Sequence, residues 1–384
     1  MSDFSTVSSQ SWFSRLGGAI KGVIFGIILV FVMIVMLWWN EGRAVKTYKM
    51  LKEGAGAVVS VSADTVSPGN DSKLVHLSGL ATTEDTLSDS IFGISATALK
   101  LMRTVEMYQV EETITKEEKK KLGGGTETVE TPSYSQVWSS SVIDSSNFRD
   151  PSKQVNPGSM PYSSETLTAT KATIGAFTLN SGLLGQITNA QPMNATQETL
   201  SKIQQDLQSK LTLHANGYYM GANPSSPQIG DVRVTFKVVL PQDVSLISQQ
   251  VGNTFQAWQA SNGKSFQRLE SGTVSAEVMF EDAQAENRML TWILRLVGLV
   301  LIAVGIGMIF RPLSVAADVL PFLGSLLEVG VGIIAFLGSL CITMLVISMA
   351  WIFYRPLIGI PLLLISVGSI VALFVMKNKK AVAA

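Results

Sequence analysis

Only two imidazoles occur in the 384-residue chain, His76 and His214, and each sits in a stretch that alternates polar and apolar residues. A catalytic role for either would need a nucleophile or a second titratable group at a fixed offset. His76 falls with Ser78, and His214 with Thr212 and Asn216, on the polar side of its strand. No G-x-S-x-G elbow is present, so both read as strand-edge histidines near turns. "NGKS", Asn262 to Ser265, matches the end of a phosphate loop, but the glycine needed five residues before Gly263 is Trp258. The single cysteine, Cys341, lies in an apolar run, and two histidines are too few for a zinc or di-iron centre. The sequence therefore predicts no catalytic residue, no cofactor and no metal site.

The remaining groups with chemical potential are two acids, Asp318 and Glu328, beside apolar runs. A carboxylate in lipid is costly and is by default a candidate for moving ions or protons. Such a path needs polar groups in series, and the apolar runs offer only scattered Ser and Thr. An accessory role in transport is the alternative they suggest.

The elements that must carry these residues are set by hydropathy. Charged residues make up 15% of the chain, against roughly 25% in a typical soluble protein, and apolar residues crowd toward both ends. Net charge is zero, so no global field favours nucleic acid. Gly22 to Trp39 is uncharged and long enough to cross a hydrocarbon layer of about 30 Å. It exceeds a signal-peptide core and lacks an A-x-A site, so residues 17–39 read as an uncleaved first span. Residues 289–310, 329–354 and 356–376 read as three more. Residues 311–328, broken by Asp318, Pro321 and Glu328, read as an interfacial or re-entrant segment.

An even number of spans puts residues 1–16 and 377–384 on one side. The lysines after Met376 favour the cytoplasm. Trp38, Trp39, Arg43, Phe310, Arg311, Tyr354 and Arg355 then fall at headgroup level as interface anchors. Gly18, Gly22 and Gly26 lie four apart on one helix face, which suits close helix packing within the chain or between copies.

Residues 40–288 read as a β-rich extramembrane domain. Val232, Val234, Phe236 and Val238 alternate with polar residues, and Val274, Ala276, Val278 and Phe280 do the same. "TITKEEKKKLGGGTET" predicts a long mobile hairpin tip around Lys119, and Thr196 to Lys210 a helix capped by Thr196. "VHLSGL" and "LHANGY" place His before Gly at the same offset, hinting at two related β subdomains. The fold class is α+β: one N-terminal and three C-terminal membrane helices with a large β-rich domain.

Four stretches, "WWNEGRAVKT" from Trp38, "VWSSSVIDSSNF" from Val137, "IGDVRVTFKVV" from Ile229 and "WIFYRPL" from Trp351, resemble the transmembrane protein 43 (LUMA) family. The resemblance covers nearly the whole chain. It implies four spans with both termini cytoplasmic. For animal members it implies residence in the endoplasmic reticulum and inner nuclear membrane, with lamin and emerin contacts and self-association. It implies no catalytic residues. The segment between the second and third spans, and the absence of a retrieval signal, suggest a bacterial member in the inner membrane with a periplasmic domain. The expected partners are the lipid bilayer, further copies of the chain and other membrane or envelope proteins, with no nucleic acid.

Overall fold

Residues 12–57 contain no proline, and they form one helix, α1 (Trp12–Ala57). Ser11 starts it: its Oγ accepts the Ser14 amide at 3.3 Å, satisfying one of the orphan N–H groups of the first turn. The computed structural model describes residues 4–319, 321–357 and 360–361. The expected exit at Trp39 is thus no helix end; α1 carries on for several turns past the apolar run. Short helices α2 (Ser181–Gln186), α3 (Gln197–Ser201) and α4 (Gln205–Gln208) follow, then the long α5 (Ala276–Ala317) and α6 (Pro321–Tyr354).

Three helices among the described residues are long and apolar enough to cross a membrane: α1, α5 and the part of α6 from Leu326. The protein is an α+β membrane protein with several apolar helices and a large β-rich region. The fourth expected span, 356–376, lies for the most part outside the described residues. Residues 311–328 are divided between the last turns of α5 and the first turns of α6. Pro312 stays inside α5, and the chain breaks after Ala317, where the Asp318 amide bonds back to Ser314 and Val315.

The chain divides into two compact units. The first gathers Glu53–Glu117 and Val129–Glu281. One sheet runs in the order Thr6–Gln10, Thr126–Ser139, Lys100–Lys120, Val232–Val239, Gly217–Met220, Leu211–His214. Its alternating Val232, Val234 and Phe236 enter a core with Phe92, Leu101, Val105 and Tyr218. In the second sheet Leu74–Thr82 pairs with Gln242–Val251 in antiparallel register, Leu77 opposite Leu246. Val75, Leu77, Phe177, Val244 and Leu246 form the core there. Period-2 burial of branched and aromatic residues is what places these strands.

Three expectations for this unit change. Val274–Phe280 is no strand: α5 starts at Ala276, with Ser275 Oγ accepting the Val278 amide and Glu277 in the first turn. Met279, Phe280 and Ala283 are buried together, a helical spacing that overrides the alternation. The helix from Thr196 is split into α3 and α4; Thr196 does cap the first, in a reciprocal box with Thr199. The apparent repeat also fails. "VHLSGL" is the middle of a central strand, whereas "LHANGY" is a hairpin turn with Ala215 at positive φ.

The second unit comprises Val7–Lys52, Glu118–Thr128 and the described residues from Asp282 onward. Leu37, Ile302 and Val346, one from each long helix, make its buried core with Val30, Met33, Ile306 and Ile342 around them. Glycines set the helix spacing, though only in part those expected. A Cβ on Gly26 would lie 2.6 Å from the Gly305 carbonyl, and one on Gly298 2.6 Å from Leu37. Gly22 has only the end of Met308 near it, and Gly18 faces open space.

Candidate functional site: a buried polar network among the helices

Leu37, Asn40, Glu41, Ala44 and Val45 are all buried, spaced 3, 4, 7 and 8 along one face of α1. On α5, Asn287, Thr291 and Arg295 recur every four residues and present one polar stripe. Trp351 and Tyr354 close the end of α6. Helical periodicity thus converges three sequence-distant segments on one place in the second unit.

Glu41 is at its centre, with its side chain 1% exposed. Arg295 donates to both carboxylate oxygens, Nε to Oε1 at 2.7 Å and Nη2 to Oε2 at 2.9 Å. The Trp351 indole N–H donates to Oε2 at 2.9 Å. This is a two-pronged, charge-assisted pair with a third donor, the arrangement that makes a buried carboxylate tolerable. The Arg295 guanidinium lies 4.7 Å from the Trp292 ring centroid and 5.8 Å from that of Trp351.

Two residues on, Arg43 is equally committed. It donates to Asn287 Oδ1 at 3.0 Å, to Thr291 Oγ1 at 2.9 Å and to Asn40 Oδ1 at 3.2 Å. The two amides cross-link the backbones: Asn40 Nδ2 donates to the Thr291 carbonyl and Asn287 Nδ2 to that of Ala44. Glycine is required beside them, since a Cβ on Gly42 would sit 2.6 Å from the Tyr354 ring. A network this fully paired can fix helices in register. Its Glu41 carboxylate and Thr291 hydroxyl are both taken up in hydrogen bonds.

The other end of the apolar run carries a second cluster. Arg15 donates to Asp318 Oδ2 at 2.7 Å and to the Gly124 carbonyl, and the Trp12 indole donates to the Val315 carbonyl at 2.8 Å. Lys120 bridges Asp318 at 3.0 Å and Glu328 at 2.8 Å. The stretch expected as a mobile tip is thus held here at Lys120 and Gly124.

The other expected anchors are placed as follows. Trp38 packs its ring 5.9 Å from both Phe353 and Tyr354, and Trp39 and Phe310 are exposed. Arg311 is also exposed, and the Arg355 guanidinium stacks 5.9 Å from Trp351. Arg43, expected to reach for headgroups, is instead turned into the network. The place of Glu41 and Arg43 beside Trp38 and Trp39 also lets the sequence pair them with the first strands or with the Glu286–Arg288 region; Arg43 does bond Asn287 there, while Glu41 pairs with Arg295. The four-residue recurrence of Asn287, Thr291 and Arg295 was the available signal.

Neither histidine belongs to such an assembly. His76 Nε2 bonds the Val274 carbonyl at 2.9 Å, and Ser78 is engaged with Ser245. His214 packs on Tyr219 in the other sheet, near Arg233, which pairs with Glu106 and stacks 4.6 Å from Trp138. The Tyr219 phenol is pushed well up by burial and by its bond to Asp231. Among the described residues no group of three or more His, Cys, Asp or Glu is placed to hold a metal ion.

The family model described as Transmembrane protein 43 matches residues 107–356. Transmembrane protein 43 of Rattus norvegicus is 34% identical over 89% of this chain and 87% of its own length. The Homo sapiens protein is 33% identical over 92% of this chain and 89% of its own length. The Drosophila melanogaster homolog is 30% identical over 89% and 91%. No solved structure matches.

Proposed function

Because the chain belongs to the transmembrane protein 43 family, we propose that it is a non-enzymatic membrane scaffold that self-associates and organises membrane-associated protein assemblies. The observation that carries this reading is the closed network on Glu41, Arg43 and Arg295, whose polar groups are used in bracing three helices. A brace of this kind suits a part that must hold its shape in lipid while other surfaces bind. The exposed apolar faces of α1, α5 and α6, among them Phe31, Val304 and Phe336, are available to lipid and to further copies. The compartment proposed is a bacterial inner membrane with the β-rich domain periplasmic, or the endoplasmic reticulum and inner nuclear membrane with that domain lumenal. Both termini would be cytoplasmic, with 356–376 as the fourth span.

The accessory-transport reading draws on Asp318 and Glu328. Asp318 is 1% exposed and already shared by Arg15 and Lys120, a pairing that suits structure better than proton transfer. Native mass spectrometry of the full-length protein released from nanodiscs tests the scaffold: it expects homo-oligomers or co-purifying membrane proteins. A strict monomer with nothing bound defeats it. Glu328→Gln altering ion flux in proteoliposomes would bring the alternative forward.

A further inference from the structure

We propose that a cavity beside the Glu41–Arg295 network binds the phosphate headgroup of an anionic phospholipid. The cavity has a volume of about 680 Å³ and lies wholly within the second unit. That is a volume suited to a small-molecule ligand. Lys49, Arg288 and Arg355 line it from α1, from α5 and from just beyond α6. Arg295 also lines it, but Glu41 neutralises that charge. Among the described residues none of Lys49, Arg288 and Arg355 has a carboxylate partner, and no Asp or Glu lines the cavity. Three like charges around one partly dehydrated space repel one another until an anion enters.

The choice of a lipid over a free anion comes from the walls. Trp292 and Trp351 flank the cations as interfacial aromatics do, and Trp292 is 67% exposed. One turn further along α5, Leu296 is 61% exposed at the start of the apolar run. A headgroup phosphate held by the Arg forks would therefore lead its acyl chains directly onto apolar helix surface. Basic pockets between membrane helices recognise phosphorylated lipid headgroups on these terms.

The test uses the full-length protein in detergent, read by native mass spectrometry with phosphatidylglycerol, phosphatidylcholine and inorganic phosphate as separate probes. Phosphatidylglycerol is expected to stay bound where phosphatidylcholine is stripped. The double variant Arg288→Gln/Arg355→Gln is expected to weaken that retention by about tenfold or more, the scale of one lost charge-assisted hydrogen bond. Lys49→Gln, at an exposed position, should weaken it in the same direction if the double variant fails to fold. Lys237→Gln removes a positive charge from the β sheet and should change nothing. Equal retention of the two lipids overturns the proposal, as does undiminished retention in a folded cavity variant. Displacement of phosphatidylglycerol by equimolar inorganic phosphate overturns the lipid assignment.

Discussion

The two polar ends of the second unit use the same residue types and are built to different standards. At the aromatic end Glu41 is 1% exposed, its partner Arg295 12%, and the carboxylate takes three donors from two other helices. At the opposite end Asp318 is also 1% exposed, but Lys120 is 26% and Glu328 65% exposed. Desolvation decides what each arrangement is worth. A buried pair stabilises little in net terms, yet leaving one partner alone is very costly; a wet pair is cheap to lose. The aromatic end is therefore a lock; at the opposite end Arg15 and Asp318, 10% and 1% exposed, are as dry, and only the Lys120–Glu328 half is a contact that water can replace.

The largest expected effect falls on the lock. Glu41→Ala leaves Arg295 buried without its counter-charge and should cost about 3–5 kcal/mol, read as a fall in thermal unfolding temperature of the detergent-solubilised protein. Arg295→Met in the same background should recover part of the loss; no recovery would mean the charge pair is not the cause. Next, Gly42→Leu drives a side chain into the Tyr354 ring and should cost about 1–3 kcal/mol or more, while Gly18→Leu, facing open space, should leave unfolding unchanged. Equal effects at the two glycines would erase the distinction between close-packed and open faces.

At the wet end, Glu328→Gln should cost within about 1 kcal/mol. Lys120 belongs to a polar ribbon in which Lys100–Lys120 pairs with Thr126–Ser139 and that strand with Thr6–Gln10, and any edge backbone groups left open would find no partners in hydrocarbon. Its share in the cluster is checked by thiol labelling of Lys119→Cys and Phe13→Cys in sealed vesicles, after Cys341→Ser. Labelling from one side supports the cluster. Labelling from opposite sides would leave Arg15 and Asp318 as a pair without Lys120.

The smallest effect sharpens the contrast from outside the helices. Asp85 also accepts three bonds, from the Thr170 hydroxyl and from the Thr170 and Lys171 amides, but it faces solvent. These donors hold its carboxyl below the ordinary value. A lowered carboxyl stabilises the fold above its unfolded value of about 4 and loses that contribution as pH falls through the folded value. The protection factor of the Lys171 amide, with intrinsic exchange divided out, should fall only in that acid range and should not vary with pH there in Asp85→Asn. Persistent pH dependence in the variant would reassign the effect.

What the sequence made legible follows from how local each signal is. The apolar run of α1 and the alternation of Val232–Val239 are carried by neighbouring residues, and both were readable. The continuation of α1 to Ala57 was hidden because Asn40, Glu41 and Arg43, just after Trp39, are satisfied by α5 and α6, far along the chain. Val274–Phe280 alternated by type while Ser275 and Glu277 set a helix start, and the cap prevailed. Glu41 stood in a quoted motif, yet nothing near it in sequence announces Arg295 or Trp351. Only their burial beside it gives it a role.

That separation has a consequence for how the chain is made. Arg295 follows Glu41 by 254 residues and Trp351 by 310. At ribosomal speeds of about 5–20 residues per second, the first span waits on the order of tens of seconds, holding a naked acid in or near lipid. A nascent chain stalled in that interval exposes a lone carboxylate, which is costly in lipid. Glu41 is thus without its counter-charge until α5 is made, and without its third donor until α6 follows.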